Sequence, residues 1–193
     1  MWAESTIKSA NTFANFLQDS VAAKRVVTDS QMLAYKQRRA IVVNVPTCWA
    51  TNYLVLASLL KSQQALAMAI NSPEWEKLSD ANKKNDVKKI LNDRAFWSNT
   101  SMLQELLQPF SDAIHQIESD KPHLAECHIV LTALRKHVEA WAKKHADGTP
   151  SSRTARALPT FEERLRAKPG GVRAPIHNAA YFAAYALDPL RRR

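Results

Sequence analysis

Residues 45–53 read VPTCWATNY. The indole of Trp49 is a broad apolar face, suited to stacking on an unstacked nucleobase or to packing in a core. Thr47 carries a side-chain oxygen that can accept from a free N–H in the first turn of the helix that follows, so it reads as an N-cap. Cys48 stands between them, a thiol with no fixed charge. Two readings of Trp49 remain side by side: an anchor of the core, or a stacking surface at the junction between a strand and a helix.

Other chemistry-bearing residues are less well placed. Glu74 and Glu76, like Glu118 and Asp120, lie two apart and diverge on a helix. Glu162 and Glu163 read as surface charges. Cys127 and His128 are adjacent, point about 100° apart on a helix, and do not converge on one metal. The chain holds two cysteines, without the C-x-x-C spacing of a zinc site and too few for a disulfide framework. No residue is assigned to catalysis or to a metal, and no cofactor is expected in this chain. Lys83-Lys84, Lys88-Lys89-Arg94, Arg135-Lys136 and Lys143-Lys144 are basic clusters able to follow phosphates, but such side chains on outer helix faces are more often plain solvated surface. The Lys36-Gln37-Arg38-Arg39 cluster reads as solvated.

Bulk composition bounds the rest. The formal charge is +9 over 193 residues, which suits a polyanionic partner. Nine Lys/Arg against three acids in residues 151–193 place +6 of that charge in the C-terminal tail. Only 3 glycines interrupt an Ala-, Leu-, Lys- and Gln-rich chain, and this favours helix. No stretch approaches the roughly 20 apolar residues of a membrane span, and the N-terminus lacks the basic and apolar regions of a secretory signal.

Apolar spacing then sets out the elements. A first helix runs from about Ser5 into the thirties, with a break near Thr28-Asp29. Residues 41–45, IVVNV, are β-branched and read as one short strand. A second helix spans Thr47 to Ile70, with Trp49, Tyr53, Leu56, Leu60, Ala67 and Ile70 on its stripe and Val55, Leu59 and Leu66 beside it. Asn71-Ser72-Pro73 ends it. A short piece around Trp75, a polar loop over residues 79–86 and a short helix over 87–93 follow. The third long helix, residues 93–120, carries Pro109, which removes a hydrogen bond and is expected to kink it. A fourth, capped by Asp120 and Pro122, shows Leu124, Cys127, Leu131, Leu134, Val138 and Trp141 at helical spacing and stops near Gly148. Residues 149–175 are a polar basic linker, and residues 176–188 resume an Ala-rich helical pattern.

The order of these blocks resembles the middle of a hAT-type transposase, a nuclease with an RNase-H-like core split by a helical insertion. The resemblance is carried by ANTFANFLQDSVAAKRVVTDSQMLAYKQRRAIVVNV, by Thr47-Cys48-Trp49 at the family's threonine-arginine-tryptophan signature, and by NYLVLASLLKSQQAL. Residues 87–120 and an alanine-rich segment ending Leu187-Asp188-Pro189 complete it. It implies a mainly α chain with one short strand left from the core sheet at about 41–45. By the same resemblance, residues 1–46 are the end of the core segment, 47–148 the insertion, 149–175 the linker, and 176–193 the closing helix and basic tail. It assigns Thr47, Cys48 and Trp49 to DNA contact, with Trp49 beside a base that leaves the stack. Cys48 stands where the family has arginine, and a thiol lacks the bidentate fork. The family's Asp-Asp-Glu set and its divalent metal, such as Mg, belong to full-length relatives. The expectation is therefore a transposase-derived fragment without catalysis, or alternatively a repurposed DNA- or protein-binding module. DNA is the expected partner, without a membrane, in the nucleus. Homo-oligomers are implied for full-length relatives only.

Overall fold

The computed structural model describes residues 2–44, 50–117 and 124–146, with Thr154, Ala157, Pro159, Glu162 and Glu163 beyond them. All regular structure among them is helical. Two compact units divide between Leu107 and Gln108.

The first unit is built on α1 (Trp2–Asp19), α2 (Val21–Tyr35), α3 (Ala50–Ile70), the single-turn α4 (Pro73–Glu76), α5 (Ala81–Asn92) and the first half of α6 (Arg94–Ile117). The expected first helix is two helices, and the break falls at Ser20 rather than at Thr28-Asp29. Ser20 has extended backbone angles, and its hydroxyl accepts from the N–H of Ala23 at 3.1 Å, an N-cap. Thr28 and Asp29 stay helical, because Thr28 bonds back to the carbonyl of Lys24 at 2.8 Å and Asp29 lies 3.9 Å from Arg25 one turn earlier. The loop expected over 79–86 is also largely helix. Asp80 caps α5 by accepting from the N–H of Lys83, and Lys84, Val87 and Leu91 face inward one turn apart.

α3 is the central element and packs on α1, α2, α4 and α5. Its buried apolar residues include Val55, Leu56, Leu59, Ala65, Leu66, Ala69 and Ile70, while Ala67, expected inside, is exposed. Phe13, Ala14, Phe16 and Leu17 of α1 close on it, with Ala23 and Val27 of α2 and Val87 and Leu91 of α5. Trp75 fills the same core against Phe16, with ring centroids 5.7 Å apart. Residues Thr51–Ile70 reach the length and apolarity of a membrane span, contrary to the expectation that no stretch does, and half of that window is buried inside this fold. Alanines in the run raise its average hydropathy while Lys61, Gln63 and Gln64 keep one side exposed.

The strand expected at 41–45 is absent over residues 41–44, and Val45 lies outside the described residues. Ile41, Val42 and Val43 pack half-buried on the helical core instead. The N–H of Val42 donates to Ser58 Oγ at 3.1 Å. β-branched side chains favour a half-buried surface, and here a helix supplies it while no partner strand among the described residues offers a ladder.

In the second unit, α7 (Leu124–Lys144) buries Leu134, Val138 and Trp141 at three-four spacing, as the sequence pattern predicts. The side chains of Leu124 and Cys127 lie outside the described set, as do the Asp120–Pro122 cap, Gly148 and residues 164–193. Thr154 is buried and donates to the carbonyl of His145 at 3.2 Å. α6 stays helical through Pro109.

Candidate functional site

Thr47, Cys48 and Trp49 lie outside the described residues, but the two ends that frame them do not. Thr51 Oγ1, in the first turn of α3, donates to Asn44 Oδ1 and ties the entry of α3 to the preceding segment. Thr51 is buried, which strengthens a bond shielded from competing water.

Of the cations picked out in the sequence, Lys83, Lys84, Lys88, Lys89 and Arg135 are paired with local carboxylates. Lys84 is buried, donates to the carbonyl of Glu76, and lies 3.6 Å from its carboxylate. Lys88 bonds the same carboxylate at 2.5 Å. The Lys88 hydrogen bond and charge, with Lys84 beside it, hold the Glu76 carboxyl below its usual range. Lys83 pairs with Asp80 at 3.6 Å and Lys89 with Asp86 at 3.8 Å. In the second unit Glu162 bonds Arg135 at 2.7 Å and raises its pKa above the ordinary guanidinium value. Glu74 and Glu163 are exposed, and Glu118 and Asp120 lie outside the described residues. No group of three or more potential metal ligands occurs among the described residues.

A different cluster is assembled in the first unit. α2 ends on Lys36, whose φ of 59° is left-handed and whose N–H closes on the carbonyl of Met32. That turn sends residues 37–43 back along α2. Gln31, buried on α2, fixes the returning chain with both ends of its amide. Its Nε2 donates to the carbonyl of Arg39 at 2.8 Å, and its Oε1 accepts from the N–H of Arg39 at 3.0 Å. The same Nε2 reaches Ser62 Oγ of α3 at 3.3 Å. The guanidinium of Arg39 lies 3.6 Å over the Tyr35 ring and donates to the carbonyl of Lys61. The Tyr35 hydroxyl in turn accepts from the N–H of Ala65 at 3.3 Å. Arg39 is thus held in place; its sequence neighbours Lys36 and Arg38 are exposed, as are Lys24 in the first turn of α2 and Lys61 on α3.

Between α1, α2 and this returning segment lies a cleft of about 540 Å³. Its walls are Ala14, Leu17, Val27, Ile41 and Val43, and its rim carries Gln18, Lys24, Thr28, Arg38 and Arg39. No acid lines it. Of the 36–39 cluster expected to be solvated, Lys36, Gln37 and Arg38 are exposed and Arg39 is half-buried, while Lys24 and Gln31 carry no expectation from the sequence. One signal was available: Lys24, Thr28 and Gln31 repeat at four and three residues beside the core stripe of Ala23, Val27 and Ser30, so they share a face next to the core.

No protein-family model, curated protein or solved structure matches this chain.

Proposed function

We propose that the chain is a non-catalytic nucleic-acid-binding module of hAT-transposase descent, acting on duplex DNA in the nucleus. The observation that carries the reading is a group of cations on the first unit: Lys24 and Arg38 are exposed and line, with an anchored Arg39, a cleft without acidic lining, and Lys36 and Lys61 are exposed on the turn after α2 and on α3. Cations presented from a rigid scaffold neutralise phosphates and release counterions, a mode of binding indifferent to base sequence. Descent from the insertion region is supported by the order of the sequence blocks and by IVVNV, a strand-like run seated on helices. Thr47, Cys48 and Trp49 remain proposed DNA contacts at the entry of α3.

Fluorescence anisotropy of the full chain with a panel of 20-base-pair duplexes tests the reading. The expected result is one affinity across unrelated sequences, falling steeply with salt. Affinity insensitive to salt, or no binding at low salt by the folded protein, overturns it.

A further inference from the structure

We propose that the cleft between α1, α2 and residues 38–43 binds a small amphipathic organic anion, an aliphatic body ending in a carboxylate. The cleft holds about 540 Å³, within the usual range for small-molecule sites. Its interior and its mouth differ in chemistry. Leu17, Val27, Ile41 and Val43 form an apolar interior. Gln31 also lines it, but both ends of its amide are already bonded to the Arg39 backbone, so it makes no demand for a polar ligand there. At the mouth, Lys24 and Arg38 are exposed cations with no ion pair among the described residues. A neutral hydrocarbon leaves those cations unused. An inorganic anion leaves the apolar walls wet. A carboxylate on an alkyl chain satisfies both, with charge-assisted bonds at the rim and displaced water below.

This inference does not rest on the nucleic-acid reading, and its test contains no DNA. Calorimetric titration of the full chain compares hexanoate, octanoate and decanoate at fixed ionic strength and below micelle formation. Burying each added methylene is expected to tighten binding about fourfold while the walls still accept it. Decanol is expected to bind at least tenfold more weakly than decanoate, and inorganic phosphate not to compete with decanoate. The double variant Lys24→Gln, Arg38→Gln is expected to abolish the preference for decanoate over decanol. Val43→Phe, which fills the interior, is expected to remove the gain from octanoate to decanoate while leaving hexanoate bound. Circular dichroism and melting temperature confirm that each variant is folded. Equal affinity for decanoate and decanol, competition by phosphate, or no decanoate binding by the folded protein overturns the proposal. So does binding to phosphatidylglycerol vesicles without binding of free decanoate, because the cations then serve a bilayer surface.

Discussion

Replacing Gln31 by leucine tests whether the basic turn is held as described. The substitution keeps the approximate volume of a buried side chain and removes three hydrogen bonds, at 2.8, 3.0 and 3.3 Å. The first two carry most of the effect, because they are the amide's bonds to the Arg39 backbone. A net hydrogen bond contributes about 0.5–1.5 kcal/mol, and a buried partner left unsatisfied costs about 1–3 kcal/mol. Arg39 is only half-buried, so water recovers part of the loss. The expected destabilisation is therefore about 2–3 kcal/mol. Urea unfolding measures it as a lower midpoint with an unchanged slope. The same variant should weaken DNA binding, since Arg39 then loses the backbone position that keeps it over Tyr35. Gln31→Glu keeps an acceptor for the Arg39 N–H but sets a carboxylate against the Arg39 carbonyl, and is expected to be at least as damaging. Gln37→Leu, an exposed change in the same turn, serves as control and should stay within about 0.5 kcal/mol of wild type. A Gln31→Leu protein as stable as this control, with unaltered DNA affinity, refutes the reasoning.

Trp75→Ala empties part of the first unit's core and is expected to cost about 3–5 kcal/mol by chemical denaturation. Trp75→Phe is expected to cost about 1 kcal/mol or less: the buried indole N–H makes no hydrogen bond among the described residues, so its removal offsets much of the lost ring area. Glu76 has a depressed carboxyl pKa, so its contribution is present above its ordinary value of 4.5 and is lost as pH falls through the lower folded value. Glu76→Gln should therefore lower the melting temperature slightly at neutral pH and flatten the acid limb of a melting-temperature profile. Identical wild-type and variant profiles contradict the pairing with Lys88 and Lys84.

Helices were legible in this sequence wherever one apolar stripe met one core. Leu134, Val138 and Trp141 of α7 sit as their spacing predicts. α3 was harder, because it is packed by several neighbours and its stripe is too wide for periodicity to rank inward positions. One boundary, the break in the first helix, misled for a local reason. Thr28 and Asp29 favour turns by composition, yet both are satisfied within the helix, whereas the quieter Ser20 makes the cap. The strand at 41–45 shows the limit of propensity: IVVNV specifies burial, and only the tertiary partner decides between ladder and helix surface. The candidate site was least legible. Lys83, Lys84, Lys88 and Arg135 are as basic in sequence as Lys24 and Arg38, and only the position of the acids separates them. The Gln31 amide joins a helix to a chain that returns eight residues later, a pairing that spacing does not encode.

The central claim is that the exposed cations Lys24, Arg38 and Lys61 of the first unit contact nucleic-acid phosphates. Its most direct test is the salt dependence of duplex binding by the full chain, wild type against Lys24→Gln, Arg38→Gln, Lys61→Gln. Each phosphate contact contributes about −0.9 to the slope of log affinity against log salt. Three lost contacts should make the slope shallower by about 2–3, with the variant's fold and stability unchanged. An unchanged slope contradicts the account and moves the phosphate contacts to other cations, such as Arg191–Arg193 of the tail.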